Sequence, residues 1–267
     1  MAATNMNAYF IECITNMHVG SGDANYGVVD KLIQRDPVTG YPTIHSSSLK
    51  GALREYFEGT WGKGSEKVNK IFGREAKDDK DSISGDYKFF GADLIALPVR
   101  SNYKQFALTL SPELINLANH TSNLLTGKDL INKPGTVNCL YVKNQKPEYD
   151  VYFEDYKFEV KDLQALLKNS GINSFNDRYA YADDNKFQDL IKNLPVIARN
   201  QLDSGVSKNL WYEEVVPHHS VFITFVATTS DLLKEFEGEL LKEGATIQIG
   251  GNASVGYGIS KFHKITF

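Results

Sequence analysis

The chain has 267 residues, 42% hydrophobic and 23% charged, ordinary for a globular protein of one large or two small domains. Its 29 Lys and Arg are outweighed by 33 Asp and Glu, and the net charge of −4 weighs against a free-standing nucleic-acid binder unless cations cluster or partner subunits complete a groove. The longest apolar runs fall far short of the roughly 20 residues a bilayer span needs, which excludes a spanning helix.

No secretory leader opens the sequence, and Cys13 and Cys139 lie far apart with no CxxC pair. The expectation is a cytoplasmic chain whose thiols are reduced core hydrophobes. Residues 8–15 (AYFIECIT) are rich in aromatic and β-branched side chains and predict a first strand. A loop punctuated by Gly20, Gly22 and Gly27 follows, with a backbone free for φ > 0 and for close approach to a ligand. A short strand carrying Asp30, Lys31 and Arg35 then enters the turn Asp36-Pro37-Val38-Thr39-Gly40, where Pro37 presets φ and Gly40 closes the reversal. Ser46, Ser47 and Ser48 are expected to cap a helix whose Leu49, Ala52, Leu53, Tyr56 and Phe57 keep the spacing of one buried face. Lys50 and Arg54 are adjacent on its polar face, and residues 59–64 end it. Free N–H groups in a helix's first turn, behind a glycine loop and among four cations, suit a phosphate-bearing ligand. The residues therefore read as a binder of phosphate backbone.

Residues 76–86 read as a charged loop, and residues 89–97 as a strand stopped by Pro98. A short helix and polar loop are expected across 110–135, strands at 136–142 and 149–159, and helical stretches at 163–167 and 187–191. Residues 195–216 (PVIARNQL, DSG, VSKNLWYEEVV) have a hairpin pattern. Residues 221–227 form a continuous apolar strand, and 231–242 a helix that buries Leu232, Leu233, Phe236, Leu240 and Leu241. The end reads strand, glycine-rich turn, strand. This order predicts an α+β domain of the split βαβ kind with an inserted middle.

Asp30, at an apolar strand end beside the glycine loop, can hold a divalent metal or align an attacking oxygen, although a lone strand-end acid is more often simply solvated. Asp23 in the same loop competes for that role. His18 can serve as acid/base or touch a phosphate, against the plainer reading of a structural histidine. Ser47-x-x-Lys50 has the spacing of penicillin-recognising hydrolases, but their SDN and KTG elements are missing, and the helix-cap reading wins. Gly250-Gly251-Asn252, with Gly256 and Gly258 following, lacks Rossmann spacing and opens a strand; a tight hairpin exposing its backbone to a ligand accounts for it. His218 and His219 are expected on opposite strand faces, sharing no metal. Alternation sets Trp211 with Glu213 on one face of the hairpin arm and Tyr212 with Glu214 on the other. Acids there are odd in a core, which leaves a rim or catalytic role open.

In combination the motifs are specific. Gly20-Ser21-Gly22, then Asp30-x-x-Ile33-x-Arg35-Asp36-Pro37-x-Thr39-Gly40-x-Pro42-x-Ile44, then Ser48-Leu49-Lys50-Gly51-x-Leu53-Arg54, and the late glycines resemble the signature of the RAMP superfamily of CRISPR systems. The segment LPVIARNQLDSGVSKNLWYEEVVP is similar, more narrowly, to the backbone (Cas7-type) subunits of the type III-B Cmr effector. The resemblance runs from first strand to last and is least diagnostic across residues 60–190. It implies a single ferredoxin-like, RRM-type α+β RAMP domain over residues 1–267. The core would be 1–60, 85–100 and 217–267; the insertions would be 61–84 and 101–216, with a β-hairpin thumb at 195–216.

The same resemblance implies partners: guide RNA, complementary target RNA, further copies stacked helically and other CRISPR subunits, with no membrane. It implies that the thumb displaces a base pair at regular intervals and that target RNA is cut there with a divalent metal ion, Mg or Mn. Asp30 would be the essential carboxylate and metal ligand, His18 the loop histidine, and Tyr212, Glu213 and Glu214 accessory groups. Gly20, Ser21, Gly22, Lys31, Arg35, Ser47, Ser48, Lys50, Arg54, Gly250, Gly251, Asn252, Gly256 and Gly258 would grip guide phosphates without reading sequence. RNA carries its own nucleophile, and extruding a base relaxes the A-form geometry that otherwise forbids in-line attack. Two other readings compete: a guide-binding subunit that does not cut, and a metal-free guide-processing endoribonuclease.

Overall fold

Burial alternates along β1 (Asn5–Cys13): Tyr9, Ile11 and Cys13 enter one core, while Ala8 and Phe10 enter the other. The strand therefore lies inside a sheet covered on both faces. The computed structural model describes residues 5–22, 27–74, 82–143, 146–166 and 172–266. Asp23 and most of the charged loop expected at 76–86 lie outside the described residues.

β1 pairs antiparallel with β11 (Val221–Thr228) on one side and β13 (Ile259–Ile265) on the other. β12 (Ile247–Gln248) extends the β13 edge, and β3 (Tyr87–Arg100) lies antiparallel to β11 with the two-residue β2 (Thr43–Ile44) against it. Beyond β3 the same sheet continues through β4 (Phe106–Leu110), β8 (Arg178–Tyr181), β5 (Cys139–Val142), β7 (Tyr156–Asp162) and β6 (Val151–Phe153). β11 is buried at every position, the expected consequence of its unbroken apolar run.

One face is covered by α1 (Ser46–Trp61), α2 (Glu66–Phe72) and α6 (Leu233–Leu240), with α5 (Asp184–Lys192) farther along. Phe57 stacks on Phe236 at 4.8 Å between ring centres, and Phe72 on Phe89 at 5.1 Å. α3 (Pro112–Thr126) covers the other face through Ile115 and Ala118, and the short α4 (Asn173–Asp177) precedes β8. β9 (Val196–Asp203) and β10 (Val206–Glu214) form a separate two-stranded sheet, bridged to the rest only at the root of β10, and leave most of both faces exposed. Their turn, Ser204-Gly205, has φ of 50° and 82°, so both central residues sit in the left-handed region that hairpin twist requires.

Several expectations are corrected. Pro98 does not stop β3, which continues to Arg100; pairing with β11 ends at Ala96, so no ladder on that side needs the missing N–H. Residues 163–166 are not helical, and the four-residue β8 was too short to stand out from its helical neighbours. The serines do not cap α1: His45 is the N-cap and makes no side-chain cap bond. Residues 30–35 form isolated bridges rather than a continuous strand. His218 and His219 occupy a turn, with His219 at φ 69°, so strand alternation does not separate them. Among the described residues no helix is long and apolar enough to cross a membrane.

Candidate nucleic-acid interface

The N-terminal loop is pinned along both limbs. Its outgoing limb bridges Met17 to Val216, and its returning limb bridges Lys31 to Glu213 and Ile33 to Gly20. Lys31 N–H donates to the Tyr212 carbonyl at 3.1 Å, and Glu214 N–H donates to the Lys31 carbonyl at 2.9 Å. This pairing brings Asp30 to the root of the hairpin, where its Oδ2 accepts the Tyr212 N–H at 2.7 Å. Asp30 and Tyr212 are exposed.

Behind them the polar groups are buried. His18 Nδ1 lies 2.7 Å from the Glu214 carbonyl, which can only accept, so Nδ1 carries a proton and donates it there. A Cβ on Gly20 would lie 3.2 Å from the His18 Nε2. The glycine-rich loop docks on the same residue: Gly251 N–H donates to the His18 carbonyl at 2.9 Å, and a Cβ on Gly250 (φ +88°) would meet that oxygen at 2.4 Å. Glycine is required there by space as well as by backbone conformation. At Gly258, φ is +74° and a Cβ would fall 2.0 Å from the Ile249 carbonyl; Gly256 has φ 79°.

Glu213 is fully buried and joins three segments. Its Oε1 accepts from Lys31 Nζ at 3.0 Å and from the Trp211 indole at 2.7 Å, and its Oε2 accepts from Asn252 Nδ2 at 2.8 Å. Burial pushes the carboxyl up, but the bonds from Trp211, Lys31 and Asn252 outweigh it and hold the group below its ordinary value. Glu214 Oε1 receives the Arg35 guanidinium at 2.5 Å, and its Oε2 accepts the Ile33 N–H at 3.2 Å. Arg35 also donates to the Gly40 carbonyl at 2.9 Å and the Ile191 carbonyl at 3.2 Å.

Asp30, His18, Tyr212, Glu213, Glu214, Gly20, Lys31, Arg35, Gly250, Gly251 and Asn252 thus converge, with Ser21 and Gly22 on the adjoining loop. The cations are less free than the pattern suggested. Lys31 and Arg35 are tied to buried glutamates, and Arg54 pairs with Glu58 at 2.8 Å one turn along α1. Among the described residues Lys50, half-buried, has no ion-pair partner. Ser47 is exposed, and Ser48 accepts a hydrogen bond from Gln34 at 3.0 Å. Sequence reasoning passed over Gln34 and Arg199, whose guanidinium lies 5.5 Å from the Tyr257 ring centre and 3.8 Å from Glu213. Gln34, a lone polar residue in a loop, carries no periodic signal, and the partners of Arg199 on β9 are set only by strand pairing and the docking of the glycine-rich loop.

Among the described residues no group of three or more His, Cys, Asp or Glu could hold a metal. Asp30 is an exposed carboxylate, the donor type a hard cation takes. A cavity of about 790 Å³ lined by Leu97, Phe106, Tyr156, Leu194, Pro217 and His218 lies apart and contains none of these groups.

The RAMP superfamily model matches residues 10–261, and the chain belongs to that superfamily. It is 30% identical over 288 aligned positions, covering 96% of this chain and 95% of the relative, to the CRISPR system Cmr endoribonuclease Cmr4 of Pyrococcus furiosus. Within the superfamily it is therefore a Cas7-type backbone subunit of the type III-B Cmr class. Two solved structures share the fold. A type III-B Cmr-beta complex bound to cognate target RNA gives a TM-score of 0.76 at 21% identity, covering 97% of both chains. Oligomeric Cmr4 from Pyrococcus furiosus gives 0.69 at 24% identity, covering 98% of this chain and all of that one.

Proposed function

We propose that this subunit binds guide RNA along its length within a multisubunit Cmr ribonucleoprotein of the cytoplasm and cuts complementary target RNA at regular intervals. One observation carries the assignment of the cutting site: an exposed carboxylate, Asp30, fastened to the backbone of Tyr212 where a free-standing hairpin leaves the body. The curated relative's name, an endoribonuclease of the Cmr system, supports the activity. The solved relatives, one with target RNA and one oligomeric, support target RNA, further copies of this chain and other subunits as partners.

The strand order β13-β1-β11-β3, all neighbours antiparallel, with α1 and α6 as crossovers, supports a ferredoxin-like core in one RAMP domain. Residues 61–84 and 101–216 are its insertions, and β9–β10 is the thumb. The thumb displaces a base pair of the guide–target duplex, leaving the target's 2′-OH free to reach an in-line position. Asp30 accepts the proton of that hydroxyl or aligns it as the 2′-oxygen attacks the adjacent phosphorus; the P–O5′ bond breaks, leaving a 2′,3′-cyclic phosphate and a 5′-hydroxyl protonated from solvent, and Tyr212 borders the distorted step. His18, Glu213 and Glu214 act behind them by holding the loop, the thumb root and the glycine-rich loop in register. A divalent ion on Asp30, Mg or Mn, would supply charge neutralisation at the reacting phosphate. Gly20, Ser21, Gly22, Ser47, Ser48, Lys50 and the backbone around Gly250, Gly251, Gly256 and Gly258 face guide phosphates.

Asp30→Ala should leave guide-bound assembly intact and lower target cutting by roughly 10²–10⁴-fold. Wild-type cutting should stop in EDTA and return with Mg²⁺ or Mn²⁺. Cutting by the Ala variant at near wild-type rate would leave a guide-binding subunit that does not cut. Cutting of precursor guide RNA in EDTA would favour a processing enzyme.

A further inference from the structure

Gln34 is buried, 7% exposed, in the returning limb of the N-terminal loop, between Lys31 and Arg35, whose side chains are tied to Glu213 and Glu214. Its amide nitrogen donates to the Gly20 carbonyl at 3.3 Å and to Ser48 Oγ at 3.0 Å, and its amide oxygen accepts the His45 N–H at 2.8 Å. Its main chain bonds the Val19 carbonyl at 2.8 Å and receives the Thr43 N–H at 3.1 Å. One residue therefore touches the glycine loop, the approach to α1 and the first turn of α1. An amide suits this task because it alone among side chains of that length offers two donors and an acceptor in one plane without charge. His45, the N-cap of α1, makes no side-chain cap bond, and Gln34 occupies its N–H from outside the helix.

We propose that Gln34 is a positioning residue for guide RNA, fixing the distance between the Gly20–Gly22 backbone and the Ser47–Ser48 turn so that both meet one phosphate track. The inference rests on the guide-binding reading above. Gln34 does not touch RNA itself; it sets two surfaces that do. Removing the amide at constant volume leaves the core filled but lets the loop and the helix start drift independently, and the loss appears in binding rather than in the cutting step.

The test uses the full chain and the reconstituted complex with Gln34→Met, Gln34→Glu, Ser48→Ala and Lys50→Ala. Gln34→Met should weaken binding of a guide-length RNA about tenfold, the effect of one to two net hydrogen bonds. Cutting by pre-assembled complex at saturating target should change less than twofold. Gln34→Glu keeps the acceptor for His45 but sets a carboxylate against the Gly20 carbonyl, and should bind no better than Gln34→Met. Gln34→Met and Ser48→Ala should be less than additive, since they break one shared bond beside Ser48's own contact to the guide, whereas Gln34→Met and Lys50→Ala should add. Additive loss with Ser48→Ala, or equal losses in binding and cutting with a lowered unfolding midpoint, would overturn the proposal in favour of plain structural support. If Lys50→Ala weakens RNA binding while Gln34→Met does not, the positioning role fails and the guide-binding reading stands. If wild type binds no guide RNA, the guide-binding reading fails first.

Discussion

Glu213 combines no exposed surface with three hydrogen-bonding partners from three segments, so its charge is retained where an isolated carboxylate would be neutral. Because its folded carboxyl titrates below the unfolded value near 4.3, the stability it contributes is present above that pH and is lost as pH falls through the depressed folded value. Glu213→Gln should cost about 1–3 kcal/mol at pH 7, and its urea unfolding free energy should converge with wild type below about pH 4. A constant gap from pH 7 to pH 3 would show that the charge is not what matters. Alternation in the sequence had set Trp211 and Glu213 on one face, and their 2.7 Å bond follows that pattern. Nothing local pointed to Lys31, which lies 182 positions away. The serines misled for a related reason. Three cap-competent residues in a row cannot show which begins the helix, and the chain turns one residue earlier, at His45.

The β9–β10 hairpin was legible because its turn demands two residues with positive φ and Ser204-Gly205 supplies them between alternating arms. Its face bearing Leu202, Leu210 and Tyr212 is 61%, 53% and 38% exposed, so the outer hairpin contributes little to the core. Shortening it by joining the paired residues 201 and 209 through a two-residue turn should leave the thermal midpoint within about 4 °C, the shift produced by roughly 1–2 kcal/mol in a chain of this size. The shortened complex should still bind target RNA yet lose the regular cutting interval, read as the ladder of products on a denaturing gel. An unchanged ladder would remove the hairpin from the cutting mechanism. β8 and the path through Pro98 were not legible: a strand of four residues lacks periodic signal, and tolerance of proline depends on which neighbour flanks that stretch.

At the scale of the whole molecule, a chain of net charge −4 grips a polyanion only through local arrangement. With Lys31, Arg35 and Arg54 committed to Glu213, Glu214 and Glu58, the guide-binding reading proposed above leaves much of the hold to backbone N–H groups and Lys50. The affinity of the chain for single-stranded guide RNA should therefore depend weakly on salt, with a log–log slope on the order of −1 to −3, corresponding to about two to four phosphates. A slope steeper than about −5 would mean that the paired cations leave their glutamates on binding. The motif residues and their order along the chain carried the resemblance to the superfamily, and apolar periodicity and turn chemistry indicated the α+β class, because these are local properties. Which groups are free and which are spent on one another was decided only by the tertiary structure. Ion pairs and hydrogen bonds between loops 180 residues apart depend on strand pairing and register, and those are set by the packing of the two cores as a whole.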